Sequence, residues 1–231
     1  TVGVVPSPPV SNTVVAVHID GDRGYLAGTF EYIGGEFRSH IGSFNAATGF
    51  VDGWNPEAVG AVNALAVSGS SVYAGGSFTA IGGDYRNSLA ALDPLTGFVQ
   101  PWNPNPNDQV TALTVGGGAL YVGGEFTTMD GQARRSLAAF DLVSGALTDW
   151  NPNAGGTPLD VTEIAIAGNT VFVGGGFEGI AGYAHPYLAV FESPVADVPV
   201  SSESHLELAA GPNPSRGSVR VQFSLPSAER V

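Results

Sequence analysis

The sequence contains no lysine, no cysteine and no long apolar run. Its eight basic side chains are all arginine, and 21 acidic ones give the 231 residues a formal net charge of −13. An acidic surface repels phosphate backbones, so nucleic acid is not expected as a partner. Without cysteine there is no disulfide framework and no thiolate nucleophile or metal ligand. No stretch approaches the ~20 apolar residues of a membrane-spanning helix, so no membrane span is expected.

Helical periodicity is missing as well. No long segment keeps an apolar period of about 3.6 residues, whereas short alternating runs between glycines and prolines are frequent. The chain has 33 Gly, 16 Pro and 43% hydrophobic residues. This composition is typical of a folded all-β protein built from many short strands and tight turns.

An internal repeat runs through most of the chain. A phrase of the form Gly-Gly-x-Phe or Ala-Gly-x-Phe recurs four times and ends at Phe30, Phe78, Phe126 and Phe177. Three tryptophans share the dominant spacing of 48 residues: Trp54, Trp102 and Trp150. The four repeat units begin near residues 14, 62, 110 and 161. A fold prediction has to account for this period before any local motif.

Each unit contains four strand-like segments. In the second unit they are residues 62–67, 71–78, 88–93 and 98–102. A Gly-rich turn at residues 79–87 separates the second segment from the third. A repeated four-stranded unit of this length is the signature of a β-propeller blade. We therefore predict an all-β fold, a β-propeller of four-stranded blades.

A tight turn and the phrase Trp-Asn-Pro end each of the first three units. In the second unit Asp93 is placed to cap the turn through its side chain, and Gly97 permits a positive φ. The tryptophan can then lie flat against the neighbouring blade, where its burial stabilises by about 5 kcal/mol. We interpret the three tryptophans and the four phenylalanines of the repeat as blade-docking residues. A role of the tryptophans as a ligand platform is the alternative.

Two family resemblances follow from these motifs. Residues 91–97 and Trp102 resemble the tryptophan-docking motif of quinoprotein propellers, although the tryptophan stands one residue later. The whole unit more closely resembles a family of bacterial secreted or surface β-propeller repeats without assigned chemistry. This second resemblance covers residues 13 to about 192. It implies a non-catalytic structural or adhesive protein at the cell surface or outside the cell, with no cofactor.

The two ends of the repeat region suggest how a ring could close. The fourth unit has three strands but no tryptophan, and residues 1–9 stand where the outer strand of a preceding unit would be. Joining them would complete a four-bladed ring; the alternative is a larger ring whose other blades lie outside this chain. We predict a propeller over residues 1–199, a linker at 200–205 and a partial immunoglobulin-like segment at 206–231.

The alternation in the last segment predicts a half-buried strand. Its apolar side chains alternate with polar ones: Val219, Val221, Phe223 and Leu225. The segment resembles the start of the C-terminal sorting domain of some secreted bacterial proteins, which implies export. Two strands alone are marginal in water, so the apolar face needs a cover. The propeller itself, further parts of the domain or a neighbouring subunit could supply it, the last by strand addition, which makes these residues candidates for assembly.

Residues with chemical potential are few. The histidines are scattered without ligand spacing: His18, His40, His185 and His205. His185 takes the place of an arginine in the other repeats, at Arg38, Arg86 and Arg134, which indicates a polar turn position. We interpret these residues as solvated turn residues; the alternative is hydrogen bonds to carbonyls or acidic groups across blades. Asp20 and Asp22 could bind Ca²⁺ but are interpreted as a loop tip. Residues 174–179 match G-x-G-x-x-G only formally, as blade glycines.

The sequence therefore predicts no catalytic, cofactor-binding or metal-binding residue. The favoured function is a structural or adhesive propeller whose partner is a second copy of itself or a surface glycan or protein. Exposed aromatic rings could instead make the chain a monomeric carbohydrate- or protein-binding module. A quinoprotein-like enzyme is the second alternative. Tyr25, Tyr73 and Tyr121 recur at one repeat position, which indicates core residues.

Overall fold

A computed structural model describes residues 7–155, 160–184 and 186–193, and every regular element in them is a β-strand. Within these ranges no helix is long and apolar enough to cross a membrane. The sequence predictions for the linker, for residues 206–231 with their assembly candidates, and for His185 and His205 fall outside the described residues.

The strands follow the four repeats. The first blade contains β1 (Val14–Asp20), β2 (Arg23–Gly28), β3 (Tyr32–Ile33), β4 (Glu36–Phe37) and β5 (Ile41–Asn45). The second contains β6 (Ala58–Val59), β7 (Val62–Ser68), β8 (Ser71–Gly76), β9 (Ala80–Ile81), β10 (Asp84–Tyr85) and β11 (Leu89–Leu92). The third contains β12 (Val110–Gly116), β13 (Ala119–Gly124), β14 (Thr128–Met129), β15 (Gln132–Ala133) and β16 (Leu137–Asp141). The fourth contains β17 (Ala154–Gly155), β18 (Val161–Ala167), β19 (Thr170–Gly175), β20 (Gly179–Ile180) and β21 (Leu188–Glu192).

Three antiparallel strands form the body of each blade. Their orders are β1-β2-β5, β7-β8-β11, β12-β13-β16 and β18-β19-β21. The predicted fourth strand at residues 98–102 is too long, because only one bridge forms there, between Leu92 and Val99. Gln100 N–H still donates to the Ala91 carbonyl at 2.8 Å, but Pro101 follows and has no N–H to extend the ladder.

The Gly-rich turn of each of the first three repeats is a small two-stranded hairpin. In the second blade β9 and β10 are joined by Gly82 and Gly83, whose φ values of 61° and 91° suit the tight turn of a two-residue hairpin. Strand β6, which follows Trp54, pairs with β9 on its other edge. This second sheet places the chain segment that enters a blade beside the hairpin of that blade.

The tryptophans join consecutive blades. The ring of Trp102 meets Tyr73 of its own blade at 5.6 Å and Phe140 of the next blade at 4.9 Å between centroids. Its indole N–H donates to the Gly145 carbonyl at 2.9 Å, in the turn of the next blade. The interplanar angles of 83° and 85° show edge-to-face contacts with these rings rather than flat ones.

The first and third tryptophans repeat this contact. Their own-blade partners are Tyr25 at 5.1 Å for Trp54 and Tyr121 at 5.3 Å for Trp150. The Trp54 indole donates to the Asp93 carbonyl at 2.9 Å, and the Trp150 ring lies 5.7 Å from Phe191 of the fourth blade. The three tryptophans therefore correspond to the three interfaces between consecutive blades.

The four phenylalanines of the repeat are all buried, with at most 1% exposure. Phe78 belongs to a cluster that also contains Ile81 of its own hairpin and Ile41 of the preceding blade. Phe177 is clustered in the same way with Ile180 and with Leu137 of the preceding blade. In both blades the phenylalanine ring therefore packs against the hairpin of its own blade and against the preceding blade.

The inner strands contact one another in chain order, from β1 through β7 and β12 to β18. Among the described residues β18 makes no comparable contact with β1. Val10 bridges Ile33 of the first blade, so this segment enters the first blade as β6 enters the second. Ring closure through residues 1–9 is therefore not seen in the described residues, and residues 1–6 lie outside them.

The turn before each tryptophan forms as the sequence predicts. The Asp93 carboxylate accepts from the Thr96 N–H at 2.7 Å, the Thr96 hydroxyl at 2.9 Å and the Leu95 N–H at 2.9 Å. These bonds, the Thr96 N–H first, hold the pKa of Asp93 below its ordinary value, and Asp141 is affected in the same way by Ser144. Asn45 makes the same turn in the first repeat with a neutral amide.

We expect Trp102→Ala to lower the free energy of unfolding by about 3 kcal/mol, because it removes the ring from an interface between blades. Trp102→Phe should cost less, about 1–2 kcal/mol, since it removes mainly the hydrogen bond to the Gly145 carbonyl. Urea unfolding monitored by circular dichroism measures both. Phe98→Ala, at a ring that is 69% exposed, is the control. An equal loss in the control would contradict the docking role.

The two aspartate turns should make stability depend on pH. Because the folded-state pKa values are lowered, the stabilisation is present above the unfolded value of about 3.9 and is lost as the pH falls through the folded value. Asp93→Asn with Asp141→Asn should flatten the fall of unfolding free energy below about pH 4. Asn45→Asp should steepen it. Urea titrations at several pH values test both, and parallel curves for all variants would contradict the assignment.

Candidate functional site

An open cleft of about 700 Å³ lies along the second blade. Its walls are the segment after Trp54, the β9–β10 hairpin and the turn before Val99. Among the residues that line it, the side chains that set its charge and polarity are Glu57, Val59, Thr79, Asp84, Tyr85 and Phe98. All three walls meet here because β6 pairs with β9, beside the turn that receives the Trp54 indole.

Two uncovered aromatic rings line this cleft. Tyr85 is 88% exposed and Phe98 is 69% exposed. In the first blade the counterpart of Tyr85 packs edge to face on Tyr32 at 5.6 Å, but Ala80 stands at the Tyr32 position in the second blade. The small side chain leaves Tyr85 without a ring to cover it.

The third repeat shows that the blade itself does not require these rings. Ala133 and Ala146 occupy the positions that Tyr85 and Phe98 have in the second repeat, and the third blade forms the same strands. A repeat-wide packing role would demand large side chains at both places. The first repeat has two phenylalanines at these positions, one of them packed on Tyr32, so the pair of uncovered rings is a feature of particular blades and not of the whole repeat.

Arg86 fixes the position of the two aromatic walls relative to each other. Its guanidinium donates to the Tyr85 carbonyl at 2.9 Å and to the Gln100 carbonyl at 3.1 Å, and it lies 3.8 Å from the Asp84 carboxylate. The planar fork thus links the hairpin that bears Tyr85 to the segment that bears Phe98.

The same clamp occurs in the first and third blades. Arg134 donates to the carbonyls of Ala133 and Thr148, each at 2.9 Å, and Arg38 makes the equivalent pair. Arg134 is only 6% exposed. The interpretation of these arginines as solvated turn residues is therefore wrong for Arg134, and the bonds run within a blade rather than across blades.

The segment after Trp54 carries an acidic group into the cleft. Glu57 has a φ of 49°, an uncommon conformation for a side chain of this kind, and its carboxylate accepts from the Asn55 amide at 2.9 Å. Asn55 Oδ1 is buried and has no hydrogen-bond partner. Trp54 anchors this segment, so blade docking and cleft geometry depend on the same residue.

The cleft is chemically suited to a neutral polyhydroxy ligand. Its charged lining residues are the acids Glu57 and Asp84, which disfavour an anionic ligand. The Tyr85 and Phe98 rings offer flat apolar surfaces, and the carboxylates and threonine hydroxyls offer hydrogen-bond acceptors and donors at the rim. Rings with a few convergent polar groups are the usual composition of a small-molecule site.

The other residues with chemical potential lie apart from this cleft. Asp20 and Asp22 share a separate cleft with Arg23, which forms an ion pair with Asp52 at 2.9 Å and donates to the Pro94 carbonyl. In the part of the chain that the structure describes, no three His, Asp or Glu side chains are grouped to hold a metal ion.

The remaining sequence candidates are placed in ordinary blade positions. His40 Nδ1 lies 2.9 Å from the Ser39 hydroxyl and 3.3 Å from the Ala58 carbonyl, at the start of a blade strand. Gly174 and Gly175 end β19, and the chain continues into β20 rather than a helix. Tyr25 and Tyr121 are buried against tryptophans, which confirms the prediction that they are core residues. Tyr73, the third of the predicted core tyrosines, is half-buried.

No protein-family model matches the chain, and no curated protein matches it. Among solved structures the chain is similar to the WD40 repeats of RRP9, with a TM-score of 0.50, 14% identity, and coverage of 80% of this chain and 54% of that one. U3-55K gives a TM-score of 0.50 and 14% identity, with coverage of 80% and 55%. The computationally designed protein Ika4 gives 0.49 and 17%, with coverage of 84% and 99%.

These similarities concern the fold. The chain spans about half the length of the RRP9 and U3-55K chains that it matches. Together with the repeated antiparallel blades, the likeness to WD40 repeats shows that the chain is an all-β protein with the β-propeller fold. At 14% identity it carries nothing further about ligand or activity.

We expect Arg86→Lys to lower the free energy of unfolding by about 1–3 kcal/mol, because one ammonium group cannot bridge the carbonyls of Tyr85 and Gln100 as the guanidinium does. Urea unfolding measures the loss. Arg135→Lys is the matched control, since Arg135 is exposed and should change stability by less than about 0.5 kcal/mol. Equal stability of the Arg86 variant and the wild type would show that the clamp is not needed.

Proposed function

We propose that this β-propeller is a non-catalytic structural or adhesive protein outside the cell or at a bacterial cell surface, and that the cleft of the second blade binds neutral glycans. The observation that carries the binding site is the pair of exposed rings, Tyr85 and Phe98, along one cleft. The extracellular location is supported by the resemblance of the repeats and of residues 206–231 to secreted bacterial proteins.

The chemistry of the cleft supports a saccharide. One face of a pyranose ring carries mainly C–H groups and stacks on an aromatic side chain, while its hydroxyls bond to carboxylates and hydroxyls at the rim. Glu57 and Asp84 can accept from sugar hydroxyls without favouring an acidic sugar. An open cleft along a surface also admits one segment of a longer polymer, as adhesion to a polysaccharide requires.

Assembly through the C-terminal strands is a separate part of the proposed role. It rests on the alternation of Val219, Val221, Phe223 and Leu225 in the sequence. These residues lie outside the described part of the chain, and glycan binding in the second blade does not depend on them.

The binding proposal is tested by calorimetric titration of the full chain with neutral gluco-, manno- and galacto-oligosaccharides. We expect Tyr85→Ala and Phe98→Ala each to weaken binding by about 0.5–1.5 kcal/mol, the value of one aromatic contact. Phe50→Ala is the matched control, because Phe50 is 75% exposed in the first blade and does not line this cleft.

The outcomes separate the candidate functions. Glycan binding that is weakened in each of the two cleft variants and unchanged in the control supports the proposal. Glycan binding that survives both variants would place the ligand elsewhere. If no glycan binds, while the same two variants abolish adhesion to a protein-coated surface, the protein-binding alternative takes its place. Turnover of an alcohol with an added quinone cofactor would instead indicate the enzymatic alternative.

A further inference from the structure

The first and last blades each leave uncovered a face that the inner blades bury. On β1, Val17 is 60% exposed and Ile19 is 52% exposed, whereas Leu65, one repeat after Val17, is 8% exposed. On β21, Leu188 is 58% exposed, whereas its counterpart Leu137 in the third blade is fully buried. Both ends of the row of blades therefore present apolar surface to solvent.

The internal interfaces show what covers such faces. A carbon atom added at Gly75 would lie 2.5 Å from Val110 and 3.2 Å from Leu113 of the next blade. One added at Gly123 would lie 2.5 Å from Val161 and 3.1 Å from Ile164. The space beside each glycine, where a side chain is missing, is thus filled by two apolar side chains from the inner strand of the following blade. We call this space the seat of that glycine.

The fourth blade has the same seat, and it is empty. Gly174 is the counterpart of Gly75 and Gly123, but an added carbon there would meet nothing nearer than the Tyr187 carbonyl at 3.9 Å. The side chain that would fill the seat also exists, because Val17 stands at the repeat position of Leu113 and Ile164. The chain therefore carries an empty seat at one end and the matching apolar strand at the other.

The described residues do not supply an occupant from within the chain. Strand β18 makes no contact with β1 comparable to those between consecutive inner strands. Residues 194–231 are shorter than the 48-residue repeat and contain no Gly-Gly-x-Phe phrase, so they do not encode another blade. Among the surfaces that the structure describes, the one that fits the seat of Gly174 is the β1 face of the first blade, which a second copy of the chain can supply.

We propose that two copies of the chain associate head to tail, with β1 of one copy seated against the fourth blade of the other. Each contact joins two different surfaces and repeats the geometry of the three internal interfaces, and in a closed pair a two-fold axis relates the two contacts. Two chains with four blades each would complete an eight-bladed ring, which is within the usual range of propellers. This inference is independent of glycan binding and uses neither Tyr85 nor Phe98.

We expect the contact between two chains to be weaker than the contact between consecutive blades of one chain. All three tryptophans are already engaged between consecutive blades, and no tryptophan follows Phe191 in the sequence. The contact thus lacks the indole that fastens each internal interface. We therefore expect association to be reversible and to depend on protein concentration.

The experiment is sedimentation velocity of the full chain over a range of concentrations, with two single variants. Val17→Glu places a charge on the exposed apolar strand, and Gly174→Leu adds an apolar side chain to the empty seat, where its Cβ has no atom of its own chain nearer than 3.9 Å. We expect the wild type to reach the mass of two chains and each variant to raise the dissociation constant more than about tenfold. Val143→Glu, at a side chain that is 96% exposed in a turn, is the control.

Mixing the two variants tests the direction of the contact. Val17→Glu keeps a normal fourth blade and Gly174→Leu keeps a normal first blade, so one good interface can form between them. A dimer in the mixture, with neither variant dimeric alone, supports head-to-tail association. No association in the mixture would overturn it, because every pair of unlike chains then has one intact contact of the proposed kind.

Other outcomes are equally decisive. A wild type that stays at the mass of one chain at all concentrations would overturn the proposal and would mean that the faces are covered within the molecule. Association that survives both variants but is lost in the double variant Val221→Asp, Phe223→Asp would also overturn it in favour of strand addition. Species larger than two chains that disappear in both variants would support the contact, with an open series in place of the ring.

Discussion

The indole ring at each blade boundary is the contact on which the rest of the structure depends. It touches a tyrosine of its own blade and a ring or turn of the next, and in two cases its N–H donates to a carbonyl of that next turn. The turn can receive the ring because Gly97 and Gly145 have positive φ and no side chain. The same indole fixes the start of the segment that lines the cleft of the second blade, so blade packing and the candidate site share one anchor.

The arginines form the second constraint. A guanidinium ties the hairpin to the outer segment within each of the first three blades, through two carbonyls at once. This two-pronged geometry is available to arginine and not to lysine. In the second blade it holds the Tyr85 wall against the Phe98 side of the cleft. Three of the eight basic residues of a lysine-free chain are used in this way.

The surfaces of the blades differ from one another mainly at positions occupied by small side chains. Ala80 in place of a tyrosine opens the cleft of the second blade, and alanines at two positions remove the aromatic walls from the third. Gly75 and Gly123 receive the strand of a following blade, while Gly174 receives nothing in the described structure. A repeat that is nearly uniform in its core thus differs between blades at its surface and at its ends, where the proposed binding and association sites lie.

The sequence by itself determined the all-β fold, the four repeat units and the Asp-Gly turns, because these follow from local periodicity and from the conformations that single residues allow. The regular spacing of the tryptophans also indicated that they dock one blade on the next. Only the tertiary structure decided that the predicted fourth strand shrinks to one bridge, that Arg134 is buried, that Tyr85 and Phe98 share a cleft, and that Val17 and Gly174 remain uncovered. Each of these depends on which side chain covers another from a distant part of the chain, and a local pattern does not contain that information.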